Sequence, residues 1–143
     1  MNNELLKAKI QLINNGIKFS CTSNGNPEWI TDYYPPLGNN EVYKPLELFL
    51  ISFGNCISGT IIPLLRLSKK FIDKYSLDIE GIRRKEHPTC FEKIKISILV
   101  YSKDIEDADL EKAIKMSEDK YCPVWAMIKN NVDVEINYKI ERE

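Results

Sequence analysis

The sequence predicts an α+β fold with mainly antiparallel sheets around a long central helix, because strand-like and helix-like segments come in blocks. Three short strand patterns come first, one long apolar helix pattern follows, and further alternating strands surround an acidic helix. The predicted order is β-β-β-α-β-β-α-α-β. Strands grouped in this way pair with their neighbours in sequence, which is typical of α+β proteins. A chain of 143 residues fits one core, and we expect a single domain over residues 1–143.

The N-terminal part predicts a hairpin and a third strand. Two apolar segments, 8–13 and 17–21, are separated by Asn14, Asn15 and Gly16. An Asn-Gly turn between two such segments is a strong hairpin signal. A short strand is expected over 28–32, and a loop rich in proline and glycine follows it.

A long helix is predicted over 45–72. Pro45 suits the first helical turn, where its missing N–H is not needed. Pro63 lies inside this segment, cannot donate to the carbonyl of Gly59, and should kink the helix. A helix this apolar must be covered on most sides, either inside the domain or by a partner. The remaining elements are predicted as strands over 77–81 and 94–100 joined near His87, helices over 107–120 and 122–128, and a last strand over 132–140.

The composition argues against a strongly charged partner. A net charge of -1 gives no general attraction to nucleic acid or to anionic lipid. Residues 66–95 hold nine Lys/Arg and five Asp/Glu, whereas 104–120 hold seven Asp/Glu and three Lys. These segments are charged faces exposed to solvent or, alternatively, surfaces of opposite charge that pair between two subunits. The start of the chain lacks a signal-peptide pattern and the apolar run 48–53 is too short to span a bilayer, so we expect a cytoplasmic protein without membrane contact.

Cys56 and Cys122 are the candidate functional residues. They are 66 positions apart and each lies in an apolar segment. If folding brings them together, the protein has a dithiol that can be oxidised and reduced. If folding keeps them apart, they are two buried thiols of a small core. Cys122 precedes Pro123 at the start of a helix, where unpaired N–H groups favour the thiolate, whereas Cys56 lies within a helix in apolar company and needs a cation or donor from elsewhere.

Other kinds of site are not indicated. Cys21 and Cys90 carry no motif and are expected to be structural, and His87 is expected to be a turn residue. The chain has no C-x-x-C pair, phosphate loop or dinucleotide fingerprint. We therefore expect neither a metal nor a cofactor.

The residues around both cysteines resemble motifs of the OsmC/Ohr family, which comprises osmotically inducible protein C and organic hydroperoxide resistance proteins. The resemblance covers about residues 5–140 and includes the order of elements. Its motifs are Pro45-Leu46-Glu47-Leu48-Phe49-Leu50 with Gly54-Asn55-Cys56, Glu86-His87-Pro88 with Phe91-Glu92-Lys93-Ile94, and Tyr121-Cys122-Pro123-Val124.

This resemblance implies an OsmC-like fold in an intertwined homodimer whose long central helices pack together. It also implies that Cys56 is a peroxidatic cysteine, which attacks a small organic hydroperoxide and becomes a sulfenic acid. Cys122 would be the resolving cysteine that forms a disulfide with it. An external dithiol, often a lipoylated protein in the family, would then reduce the disulfide.

The sequence departs from the family's peroxidases at two positions. They pair the reactive thiolate with an N-terminal arginine, but no arginine precedes Arg66 here. A glutamate ten residues before the cysteine holds that arginine, but Glu47 is nine residues before Cys56 and is expected to act at the helix N-terminus instead. The Pro-Leu-Glu pattern resembles a less characterised OsmC-like branch. The alternative function is therefore a non-catalytic dimer that binds a small apolar ligand near Cys56.

Overall fold

The computed structural model describes residues 3–142 and confirms the predicted order of elements. The described chain forms two compact units that divide between Phe49 and Leu50, inside the first helix. A π-helical turn over Ser117–Tyr121 joins the second helix to the third. The elements are β1 (Lys9–Leu12), β2 (Phe19–Thr22), β3 (Trp29–Thr31), α1 (Pro45–Leu67), β4 (Lys74–Arg83), β5 (Phe91–Tyr101), α2 (Asp107–Met116), α3 (Pro123–Ile128) and β6 (Asp133–Glu141).

The first unit contains a small antiparallel sheet in the order β1-β2-β3. The turn between β1 and β2 closes where the N–H of Ile13 donates to the carbonyl of Lys18 at 3.0 Å. The side-chain oxygen of Asn14 accepts from the N–H groups of Gly16 and Lys18 at 3.0 and 3.1 Å. The hairpin expected from the Asn-Gly turn is therefore confirmed.

Helix α1 starts at Pro45 as predicted but ends at Leu67, five residues before the predicted end. Lys69 has a positive φ of 61°, which a continuing helix does not allow. The N–H of Lys69 donates to the carbonyl of Arg66 at 2.9 Å, and that of Lys70 to the carbonyl of Leu65 at 3.1 Å. These two bonds form a Schellman-type cap, which terminates the helix.

The second unit contains a sheet in the order β4-β5-β6. Strands β4 and β5 pair antiparallel, but β5 and β6 pair parallel. A parallel pair needs a long crossover, which α2, the π-helical turn and α3 provide. The prediction of mainly antiparallel sheets is therefore confirmed, because three of the four pairs of these strands are antiparallel and only the pair of β5 with β6 is parallel.

The core of the second unit lies between α1, β5 and the C-terminal helices. Side chains four residues apart form the buried stripe of α1, and alternate side chains of β5 form the buried face of that strand. Gly54 brings α1 close to β4, because a Cβ there would lie 3.2 Å from Cδ2 of Leu77. The largest buried members are Phe53, Ile57, Ile61, Leu65, Ile94, Ile96, Ile98, Val100 and Leu110.

Helix α1 is longer and more apolar than the run 48–53 alone suggested. It has 23 residues and contains an 18-residue apolar window with a mean hydropathy of 1.8, so by length and composition alone it could cross a membrane. Core helices of soluble proteins meet the same two criteria. Only 28% of the apolar window is buried within this chain. Most of the apolar surface of α1 is therefore exposed in the single chain, and the expectation that something must cover it still holds.

Candidate functional site: a pair of thiols

Cys122 lies at the N-cap of helix α3, where the sequence predicted it. Pro123 occupies the first helical position, and the Cys122 sulfur accepts the backbone N–H of Trp125 at 3.4 Å. The N–H of Cys122 donates to the carbonyl of Ser117 at 2.9 Å, which closes the π-helical turn. The Cys122 side chain is thus fixed from both sides, and only 2% of its surface is exposed.

Cys56 approaches Cys122 from helix α1. It is half-buried and lies between the fully buried side chains of Phe53 and Ile57. The Cys56 side chain lies near enough to Cys122 to raise the pKa of the Cys122 thiol. Of the two outcomes left open by the sequence, folding therefore brings these thiols together.

Burial dominates the electrostatics of Cys122. Loss of water around the sulfur, together with a smaller contribution from the neighbouring Cys56, raises the pKa of Cys122 to about 11. The N–H of Trp125 acts in the opposite direction and does not compensate. The helix N-terminus favours a Cys122 thiolate as expected, because the N–H groups of Trp125 and Val124 both lower the pKa of Cys122, but burial outweighs them.

The hairpin arginines are used within their own hairpin. The Nε of Arg83 donates to the carbonyl of Thr89 at 2.6 Å. The Nε of Arg84 donates to the carbonyl of Glu86 at 3.1 Å, and its Nη2 lies 3.6 Å from the Glu86 carboxylate. Within residues 3–142, neither guanidinium has a hydrogen bond to the thiol pair.

Glu47 has the structural role expected from its position. Its Oε1 accepts the N–H of Lys44 at 2.8 Å, and the ammonium of Lys44 lies 3.7 Å away. A carboxylate at the third helical position that bonds back to the N-cap N–H is half of a capping box. In this chain Glu47 therefore stabilises the start of α1.

Two side-chain pairs that the sequence did not reveal lie on either side of the thiols. Phe53 packs edge-on against Trp125, with ring centroids 5.9 Å apart and planes at 72°. On the other side, the hydroxyl groups of Thr60 and Ser117 form a hydrogen bond. The spacing of Phe53, Cys56 and Thr60 is visible in the sequence and places all three on one face of α1. It does not identify the residues that they contact.

The other two cysteines have different surroundings. Cys21 is half-buried, with its sulfur 4.0 Å from the hydroxyl of Thr31, and Cys90 is exposed. His87 is exposed in the turn between β4 and β5, as expected of a turn residue. Among the described residues, no group of three or more His, Cys, Asp and Glu is arranged to hold a metal ion.

A shallow apolar groove runs along a different face of α1. It has a volume of about 380 Å³ and lies between α1 and β4. Cys56 is not part of its lining, which consists of Leu50, Ile51, Gly54, Asn55, Ser58, Tyr75, Ser76, Leu77 and Ile79. A ligand in this groove would therefore not contact the thiol pair directly.

Comparisons with known proteins agree with the fold. Protein YhfA of Escherichia coli K12 is 26% identical over 97 residues, which are 68% of this chain and 72% of that protein. A hypothetical protein from Aquifex aeolicus VF5 has a similar structure, with a TM-score of 0.84, 26% identity and 99% coverage of both chains. An organic hydroperoxide resistance protein OsmC from Legionella pneumophila shares the fold, with a TM-score of 0.73, 17% identity and coverage of 97% of this chain and 99% of that chain. Residues 38–137, more than half of the sequence, match the family described as OsmC-like protein, and the chain therefore belongs to that family.

Proposed function

We propose that this protein is a two-cysteine thiol peroxidase that reduces small organic hydroperoxides. The interaction between the thiols of Cys56 and Cys122 is the observation that carries the proposal. Membership of the OsmC-like family agrees with it, as does the fold shared with a protein called an organic hydroperoxide resistance protein.

The unequal environments of the two thiols support different roles for them. With its pKa raised to about 11 and 2% of its surface exposed, Cys122 is protonated at neutral pH and closed to a peroxide. Cys56 is half-buried and can be reached. Cys56 is therefore the peroxidatic residue and Cys122 the resolving residue, and the protonated Cys122 can donate its S–H to a thiolate at Cys56.

The two steps balance without a metal or cofactor. The Cys56 thiolate attacks the distal oxygen of ROOH, the O–O bond breaks, and the alkoxide leaves as ROH after taking a proton, so that Cys56 becomes a sulfenic acid. The Cys122 thiol then attacks that sulfur, an S–S bond forms, and the oxygen leaves as water. An external dithiol, with a lipoylated protein as the candidate, returns both cysteines to thiols by exchange.

We also propose that the protein works as a cytoplasmic homodimer. Only 28% of the apolar window of α1 is buried within the chain, so a large apolar surface needs a second chain to cover it. The family resemblance supports an intertwined dimer in which the central helices pack together. An arginine of a partner subunit is not required by the steps above, but it would speed the first of them.

A single-turnover experiment tests the peroxidase proposal. The background variant carries Cys21→Ser and Cys90→Ser, so that only the two proposed residues can react. One equivalent of cumene hydroperoxide should remove two thiols per chain. With Cys56→Ser the loss should fall to the rate of free cysteine. With Cys122→Ser one thiol should be lost and a sulfenic acid should become trappable by a carbon acid.

The groove between α1 and β4 favours a second candidate function, in which the protein binds a small apolar ligand without chemistry. Thiol loss no faster than that of free cysteine, together with saturable binding of a fatty acid or other apolar probe, would support this function. Rapid thiol loss that depends on Cys56 would exclude it as the main function.

A further inference from the structure

The hydroxyl groups of Thr60, which is half-buried, and Ser117, which is fully buried, form a hydrogen-bonded pair close in sequence to the two thiols. We propose that Thr60 and Ser117 are positioning residues that hold Cys122 opposite Cys56, a role that rests on the peroxidase function proposed above. Thr60 follows Cys56 by four residues in α1, so both side chains lie on the same face of that helix. Ser117 begins the π-helical turn that ends next to Cys122.

The direction of the hydrogen bonds follows from the number of protons. The hydroxyl of Thr60 donates to the carbonyl of Ile57 at 2.8 Å, which uses its single proton. In the bond between Thr60 and Ser117, the Ser117 hydroxyl is therefore the donor. The chain of donors ends at a backbone carbonyl and not at a sulfur atom. This arrangement can fix a position, but it does not deliver a proton to either thiol.

Ser117 connects α1 to Cys122 through its main chain as well. Its carbonyl accepts the N–H of Cys122 at 2.9 Å, and its fully buried side chain contacts Thr60. Cys56 is joined to Thr60 through α1, Thr60 to Ser117 through their hydroxyls and Ser117 to Cys122 through the main chain, so that with the neighbouring thiols these residues form a closed ring. The π-helical turn inserts one extra residue before Cys122, and turns of this kind are common at functional sites.

The ring should matter most in the resolving step. The Cys122 thiol must reach the sulfenic acid of Cys56 and release water before a second peroxide oxidises that sulfur to a sulfinic acid. Holding the two sulfur atoms near each other raises their effective concentration. Without the Ser117 hydroxyl, α1 and the π-helical turn lose a direct link, and the disulfide should form less readily.

The equilibrium with oxidised and reduced dithiothreitol tests this role without any peroxide. The Cys21→Ser/Cys90→Ser protein is the reference, and the variants are Ser117→Ala and Thr60→Val. Each should lower the equilibrium constant for the Cys56–Cys122 disulfide about tenfold, which corresponds to about 30 mV for two electrons. Thr60→Ser keeps a hydroxyl and should retain the reference value.

Ser58→Ala is the matched control. Ser58 lies on α1 and also bonds a hydroxyl, that of Tyr75 at 2.9 Å, but it does so away from the thiols. Its equilibrium constant should stay within about twofold of the reference. Values for Ser117→Ala and Thr60→Val that equal those of Ser58→Ala would overturn the positioning role.

A peroxide measurement then separates this inference from the proposed function. After one equivalent of cumene hydroperoxide, Ser117→Ala should lose the Cys56 thiol as fast as the reference but accumulate several-fold more sulfenic and sulfinic acid. Absence of any peroxide reaction in the reference would contradict the peroxidase function alone. The dithiothreitol equilibrium would still decide the role of Thr60 and Ser117. If one single variant fails to fold, the double variant Thr60→Val/Ser117→Ala provides a check, because it leaves no hydroxyl of the pair without a partner.

Discussion

Cys122 should be among the least acidic thiols of the protein, and replacing Cys56 should change its acidity in a defined direction. A pKa of about 11 against the ordinary 9.0 is a shift of two units. At pH 8 the thiolate fraction is then about 0.1% instead of about 10%, a hundredfold reduction from ionisation alone. Cys56→Ala removes the neighbouring thiol and with it both of its contributions to the pKa of Cys122. Burial, the largest cause, remains, so the pKa of Cys122 should fall but stay above 9.0.

The assay is alkylation by iodoacetamide after brief pH jumps, with the modified Cys122 peptide counted by mass spectrometry. The Cys21→Ser/Cys90→Ser protein supplies the reference, and the same protein in denaturant supplies an ordinary thiol. The rate for folded protein should rise up to about pH 11. A midpoint at or below that of the denatured protein would refute the argument, as would a midpoint unchanged by Cys56→Ala.

The same shift makes stability depend on pH. The pKa of Cys122 is raised in the folded state, so below pH 9 both states hold the proton and the thiol adds no pH dependence. Between about pH 9 and pH 11 the unfolded state releases the proton first, and the free energy of unfolding should fall as pH rises. Urea titrations of Cys122→Ser should lack this component, and an identical pH dependence in both proteins would count against the shift.

Three further predictions follow from the packing. Gly81→Ala brings a methyl group into steric overlap with the ring of Phe91 and should lower the free energy of unfolding by about 1–3 kcal/mol in urea titrations. An unchanged free energy of unfolding would contradict this close approach of Gly81 to Phe91. Glu47→Ala removes the acceptor of the Lys44 N–H and should cost about 1 kcal/mol while leaving the rate of Cys56 thiol loss unchanged; a large loss of that rate would instead give Glu47 a part in the chemistry. Light scattering at micromolar concentration should give about twice 16.6 kDa if a second chain covers Pro45–Leu67, and a clean monomer would remove the proposed dimer.

The order of elements was predictable because local signals decide it. Asn15 and Gly16 favour a tight turn whatever the rest of the chain does, and Pro45 favours the start of a helix. The end of α1 was predicted too late, because the apolar pattern continues through Phe71 while the positive φ of Lys69 has no strong sequence signal. The parallel pairing of β6 was missed, since it depends on the path of the crossover and not on the strand itself.

The cysteine pair was predictable only through the resemblance, because no local rule links residues 66 positions apart. The position of Cys122 at a helix N-terminus followed from Pro123, whereas its acidity did not. Acidity depends on how completely the surrounding side chains exclude water, and sequence alone does not give that quantity. The hydroxyls of Thr60 and Ser117 were missed for a related reason, since the π-helical turn that brings them together has no recognised sequence pattern.

Mapping the disulfide that an alkyl hydroperoxide produces tests directly whether Cys56 and Cys122 react as a peroxidatic and resolving pair. The wild-type protein is treated with one equivalent of cumene hydroperoxide, alkylated in denaturant and digested. One dominant cross-linked peptide should join Cys56 to Cys122, and Cys21 and Cys90 should be recovered as alkylated thiols. Recovery of Cys56 and Cys122 as alkylated thiols, or a disulfide that joins either of them to Cys90, would contradict the proposed pairing.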